Sequence, residues 1–400
     1  MLGQIHIERG EADLALPLLV EARAVYAAAS DPALELAAAD NLLGELHSQA
    51  GRYDIAEGHY ADAIACLRAR ATANDPRLAE LLDNLAVTRG RAGKLADAEA
   101  LHSEALAIFR AARGEQHPHT AHALFNLANV REMRDDFAGA DGAFRQAEAI
   151  QRAALGDTHP NLAQTLASHT FMLNRAGRHA EAVQRGREAV AAASALTPPN
   201  PISAYAHAMY GESLLIDGQP AVAVAELRDA LSQRERMLPD DHPVRLNSES
   251  LLGAALAASG DTDEGQRRLR HALERLLATL GPEHEFTRRA QARVERYSPR
   301  SLPSKAFAPC KVREIFMAER RGCGDHVGTQ ARVRGTQRRM RPRDVARVDS
   351  AVKAIRGHQV RRRRKAARHP QQRQVDADHQ VRAQQFGMDG LSDTAGRTGQ

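Results

Sequence analysis

The 400-residue chain predicts an all-α fold: a right-handed superhelical solenoid of antiparallel helix pairs, followed by a disordered basic tail. Three observations carry this. Four small residues recur as a ladder with spacings 7, 5 and 7, and the ladder returns every 41 or 42 residues. Aromatics are 4% of the chain and Trp is absent, so packing rests on Ala and Leu, which let helices approach closely. Near Ser298-Pro299 the ladder stops, and Arg, Gln and Gly take over.

The ladder starts with Gly3, Gly10, Ala15 and Ala22, then Gly44, Gly51, Ala56 and Ala63. Ala86, Gly93, Ala98 and Ala105 follow, then Ala128, Asp135, Ala140 and Ala147. Thr170, Gly177, Ala182 and Ala189 come next, and Gly211, Gly218, Ala223, Ala230 and Gly253, Gly260, Gly265, Ala272 complete it. The first mark is small so that two helices can cross closely. The second sits where a helix ends, and Gly adopts the left-handed conformation there without steric penalty. The last two marks, seven apart, share one face of the second helix. About seven helix pairs are therefore expected over residues 1–297, the first incomplete because its ladder opens at Gly3. Pro282 to Tyr297 reads as a capping helix, with an Arg-rich face suited to the end of an array.

His-Pro pairs at His117-Pro118, His159-Pro160 and His242-Pro243 invite a metal or catalytic reading. The same slot, however, holds Asp31-Pro32, Asp75-Pro76 and Asn200-Pro201. Ligation is thus not the shared demand. Proline at the first helical position loses no hydrogen bond, and Asp or Asn is a natural N-cap, so the pairs mark helix starts.

The ladder resembles the tetratricopeptide repeat, whose usual unit is 34 residues. The longer unit here, with "GEQHPHTAHALFNLANV" starting a first helix, is similar to the repeats of kinesin light chains and bacterial homologues. The resemblance covers roughly residues 1–297. It implies a groove lined by the first helix of each repeat, in which side chains, often Asn, hold a partner peptide. Carried over by alignment, the groove positions are Asn41, Glu45, Asn84, Arg91, His122, Asn126, Asn129, Ser168, Asn174 and Arg175. Asn84 and Asn126 match the "NLA" asparagine directly, and the others follow from position.

Chemistry-bearing motifs are missing from the sequence. There is no GxxxxGK[ST] loop, no strand-linked GxGxxG, no HExxH, no GxSxG and no protein-kinase set. Asp135 and Asp136 read as turn and cap residues. The 18 His form no i, i+4 pair with a third ligand. No enzyme activity, cofactor or metal is expected.

Net charge divides the chain. Residues 301–400 hold 23 Lys and Arg against 9 Asp and Glu, leaving 32 against 41 in residues 1–300. The tail, 298–400, has few apolar anchors, so ordering it would cost more than burial returns. Short helices around 345–355 are the most it supports. "RRRRK" (Arg361 to Lys365) offers weak, non-specific nucleic-acid binding; a reading-frame artefact is the other reading of such Arg-rich sequence. Cys66, Cys310 and Cys323 form no CxxC, no secretory h-region opens the chain, and no 18-residue apolar run crosses a membrane, which together point to a cytoplasmic protein. The near absence of Lys, with Lys94 alone before residue 300, suggests the codon bias of a GC-rich bacterial genome.

The function expected is a non-catalytic scaffold that captures a protein or peptide segment in the groove. The alternative is the regulatory repeat region of a larger signalling protein, a serine/threonine kinase or signalling ATPase. The partner's identity is not written in these residues.

Overall fold

The computed structural model describes residues 2–8, 11–29, 33–70 and 72–297. The expectations for the tail, for Gly10 and for Asp31-Pro32 fall outside the described residues.

Among the described residues every regular element is an α-helix, and the helices pack as successive pairs. They are α1 (Leu2–Glu8) with α2 (Ala12–Ala27), α3 (Ala33–Gln49) with α4 (Tyr53–Arg70), and α5 (Pro76–Arg91) with α6 (Leu95–Arg113). α7 (Pro118–Met133) pairs with α8 (Phe137–Leu155), α9 (Pro160–Arg175) with α10 (His179–Ala193), and α11 (Pro201–Ile216) with α12 (Pro220–Met237). α13 (Pro243–Ser259) pairs with α14 (Thr262–Leu280), and α15 (Glu285–Tyr297) packs on both. This is a solenoid: each pair buries its apolar stripe against its neighbours.

The ladder explains the pairing. Ala98 and Ala105, like their counterparts from Ala56 to Ala272, are 0% exposed, because at these points the second helix lies against the first. The last pair is tight: a Cβ on Gly265 would stand 2.5 Å from the Ala257 amide nitrogen and 2.6 Å from the Gly253 carbonyl oxygen. Among the described residues the second mark is left-handed from Gly51 to Gly260, with φ of 79° at Gly93 and 74° at Gly177. Asp135 fills the same place at φ 61°, the one non-glycine with positive φ among the described residues.

The proline slots also fall as expected. α5, α7, α9, α11 and α13 each begin at a proline. Asp75 accepts from the Arg77 N–H at 2.9 Å and Asn200 from Ile202 N–H at 2.9 Å. The histidines do the same with a ring nitrogen. Nδ1 of His117, His159 and His242 accepts the N–H two residues on, at 3.1, 3.1 and 3.2 Å. His284 caps the start of α15 likewise, at 3.1 Å from Phe286 N. Each cap satisfies a backbone donor that would otherwise lack an intrahelical partner.

Candidate binding face

The first helices, α3, α5, α7, α9, α11 and α13, meet along one face, and from α3 to α11 polar side chains stitch each to the next. Asn84 Nδ2 donates to Asn41 Oδ1 at 3.0 Å, and Thr88 Oγ1 to Ser48 Oγ at 2.9 Å. Asn126 Nδ2 donates to Asp83 Oδ2 at 2.7 Å. Arg175 pairs with the Glu132 carboxylate and donates from Nη2 to Asp135 at 2.6 Å, while Asn174 donates to Ser213 Oγ at 2.9 Å. The repeat length causes this. One turn of the array returns the same helix position beside its predecessor, so partners are about 40 residues apart.

The residues carried over from the resemblance are distributed unevenly. Asn41, Glu45, Asn84, Arg91 and Asn174 are half-buried. The side chains of His122 and Arg175 are 59% and 36% exposed. Asn126, Asn129 and Ser168 are buried, at 4%, 2% and 2% exposure. The structure brings Asn41 to Asn84, and both His122 and Asn126 to Asp83, with His122 Nδ1 3.6 Å from Asp83 Oδ2. Asn129 Nδ2 is buried and finds no acceptor among the described residues.

The face closes along its length. The position just after the first mark is half-buried at Glu45 and Val87 but buried at Asn129, Phe171, Glu212 and Ala254. α9 packs closely on α11, and α13 on α15, whereas α3 and α5, α5 and α7, α7 and α9, and α11 and α13 touch one another sparingly. Accessible polar groups lie on α3, α5 and the start of α7, and again at the end of α9 in Asn174 and Arg175.

Carboxylates on this face are held by cations or histidines from the same chain. Burial alone would raise the Asp83 pKa, but His102 and His122, with the Asn126 bond, bring it below the ordinary value. Glu132 goes the other way: burial keeps its pKa above the ordinary carboxylate value despite Arg175. Histidine–carboxylate pairs also join the two helices of several repeats: His59 to Asp40 at 2.7 Å, His102 to Asp83 at 2.6 Å and His207 to Glu226 at 2.7 Å. Each of these spans 19 positions, a spacing visible in the sequence that motif reading passes over. His169 lies between two acids, Glu148 at 2.5 Å and Asp141 at 2.8 Å, and stacks on Phe144.

No group of three or more potential metal ligands occurs among the described residues, and no described helix is long and apolar enough to cross a membrane. What the open stretch offers is amide donors and acceptors with mixed charge.

Residues 77–153 match the tetratricopeptide repeat family. Comparison with curated proteins gives no match. Among solved structures, the kinesin light chain nearly identical TPR-like repeats of Podosopora anserina share 22% identity, over 51% of this chain and 98% of that one, with a TM-score of 0.44. The apo form of RapI aligns over 74% of this chain and 96% of its own, at 12% identity and a TM-score of 0.51. A tetratricopeptide repeat protein of Parabacteroides merdae covers 74% of this chain and 95% of that one, at 12% identity and a TM-score of 0.48. The matched segment runs from α5 to the end of α8, and the same ladder, left-handed turns and helix pairs continue on either side of it. The chain thus carries tetratricopeptide repeats over residues 77–153, set within a solenoid of like helix pairs.

Proposed function

We propose that the chain is a non-catalytic interaction scaffold that holds a partner protein segment against the first-helix face, over α3, α5 and the start of α7. The observation that supports this is the run of accessible polar side chains there: Asn41, Glu45, Asn84, Arg91 and His122 keep solvent contact, while from α9 onward the positions equivalent to Asn41, Glu45, Asn84 and His122 are buried and only the one equivalent to Arg91 stays open, as at Arg175. A repeat array presents a long shared face, and an extended backbone matches it. Within this proposal, residues 1–297 form the binding unit and α15 closes its end.

The test is site-specific photo-crosslinking. A photoreactive residue at His122 or Asn84 should capture a partner segment in cells, and one at the exposed Ser103 of α6 should not. Capture from position 103 alone would place the partner on the second-helix side and remove the proposal.

A further inference from the structure

α15 departs from the neighbour-to-neighbour logic of the array. Arg289 Nη2 donates to Glu212 Oε1 of α11 at 2.7 Å across 77 positions, and Arg293 Nη2 reaches the same oxygen at 3.2 Å across 81. Both contacts pass over α13. The Arg289 guanidinium also lies over the Phe171 ring of α9, 5.8 Å from its centroid, and Arg293 Nη1 donates to Asn247 Oδ1 at 3.0 Å and Ser250 Oγ at 3.4 Å.

We propose that the surface formed by Phe171, Glu212 and Asn247 is a recognition site for a helix carrying two arginines one turn apart, and that α15 is the chain's own occupant of it. Glu212 makes the case. Its side chain is 8% exposed, and the cations drawing it below the ordinary carboxylate pKa against the effect of burial are Arg289 and Arg293, both on α15. With α15 displaced, the Glu212 carboxylate of α11 would lose both of its guanidinium partners and present an anionic group complementary to another arginine. Arginine suits the place better than lysine, since a planar guanidinium can stack on Phe171 while donating to the carboxylate.

α15 also defines the chemistry of its substitute. Phe286 and Ala290 are buried in the cluster with Val244, Leu246, Leu276 and Leu280, and Val294 continues their stripe. Arg289 and Arg293 stand three positions after Phe286 and Ala290. The partner is therefore a helix with apolar residues at i, i+4 and i+8 and arginines at i+3 and i+7. An acidic segment would meet Glu212 with like charge. None of this depends on what the α3–α7 stretch binds.

The probe is a fluorescent peptide of residues 282–297, followed by anisotropy against the full chain. A chain with Phe286→Ala, Arg289→Ala and Arg293→Ala has loosened its own helix. It should bind the peptide about tenfold or more tighter than the wild-type chain, whose site is filled intramolecularly. Adding Glu212→Gln, or replacing both arginines of the peptide by alanine, should each weaken binding about tenfold or more. Absence of saturable binding, or indifference to either change, would overturn the proposal. So would a concentration-dependent wild-type dimer lost in the loosened chain, which would make a second copy's α15 the occupant. If the loosened chain does not fold, hydrogen exchange on Glu212→Gln alone decides. Residues 285–297 should exchange about tenfold or more faster than in wild type while α5–α8 stay unchanged, and equal exchange rejects the site.

Discussion

Asn126 Nδ2 donates to Asp83 Oδ2 at 2.7 Å, joining α7 to α5 inside the protein. The asparagine of the "NLA" motif thus spends an amide hydrogen on the neighbouring repeat, and the same holds for Asn84 toward Asn41. A residue that looks like a ligand contact in the sequence is also part of what holds the array together. Asn126→Ala should lower stability by about 1–3 kcal/mol, because it leaves a buried acceptor on Asp83 short of a donor. Asn84→Ala, at a half-buried position, should lose about 1 kcal/mol or less. Chemical denaturation of the two variants checks the ranking, and an Asn126→Ala chain as stable as wild type would refute it.

At the turn between α7 and α8, Asp135 holds a conformation that its counterparts assign to glycine. Asp135→Gly removes the strain but also the bond from Arg175, which lies at the surface. Exposed ion pairs contribute little, so Asp135→Gly should exceed Asp135→Ala in stability by about 1 kcal/mol. Thermal unfolding of the two variants measures the difference.

Gly265 stands where most repeats carry alanine, so a consensus argument favours Gly265→Ala. The geometry opposes it, since the new Cβ would fall 2.5 Å from a backbone nitrogen of α13. Backbone atoms cannot rotate away as a side chain can. We expect a loss of about 1–3 kcal/mol in denaturant titration. A gain would show that α13 and α14 can separate.

Acid should weaken the His242 cap. Burial, then the Arg234 charge, lowers the His242 pKa from 6.5 to about 4. The folded state therefore favours the neutral ring, whose Nδ1 accepts from Val244 N–H. This contribution is complete above the unfolded pKa and is lost as pH falls from about 6.5 through about 4. His242→Asn keeps a capping oxygen that does not titrate. Between pH 7.5 and 4.5 the melting temperature of wild type should fall more than that of the variant. Parallel curves would exclude the cap as an acid-sensitive element.

The basic segment 301–400 carries a prediction of its own. Each neutralised phosphate contributes about −0.9 to the slope of log K against log salt, so about five contacts give a slope near −4 to −5 on duplex DNA. Filter binding across salt concentrations tests this, with residues 1–300 expected to show none. Salt-resistant, sequence-selective binding would identify a dedicated nucleic-acid module instead.

The sequence by itself determined the helix pairs, their repeat length, the proline-started first helices and the left-handed turns. Each of these is local: a small residue, a glycine or a capping side chain acts within one or two turns of its own backbone. Pro118 begins α7 and Gly93 turns left-handed for reasons written within ten residues. That histidine rings serve as caps was legible only in part, since the slot was clear but the acceptor nitrogen was not. The face itself depended on tertiary structure. Asn129 and Ser168 share helix positions with the half-buried Glu45 and Asn84, yet the surrounding packing buries them almost completely. The spacing from Arg289 to Glu212 follows no repeat period; it exists because α15 leans across α13, which is set by how helices pack along the array. A periodic sequence specifies each joint, while exposure and long-range charge pairing depend on how the joints add up in space.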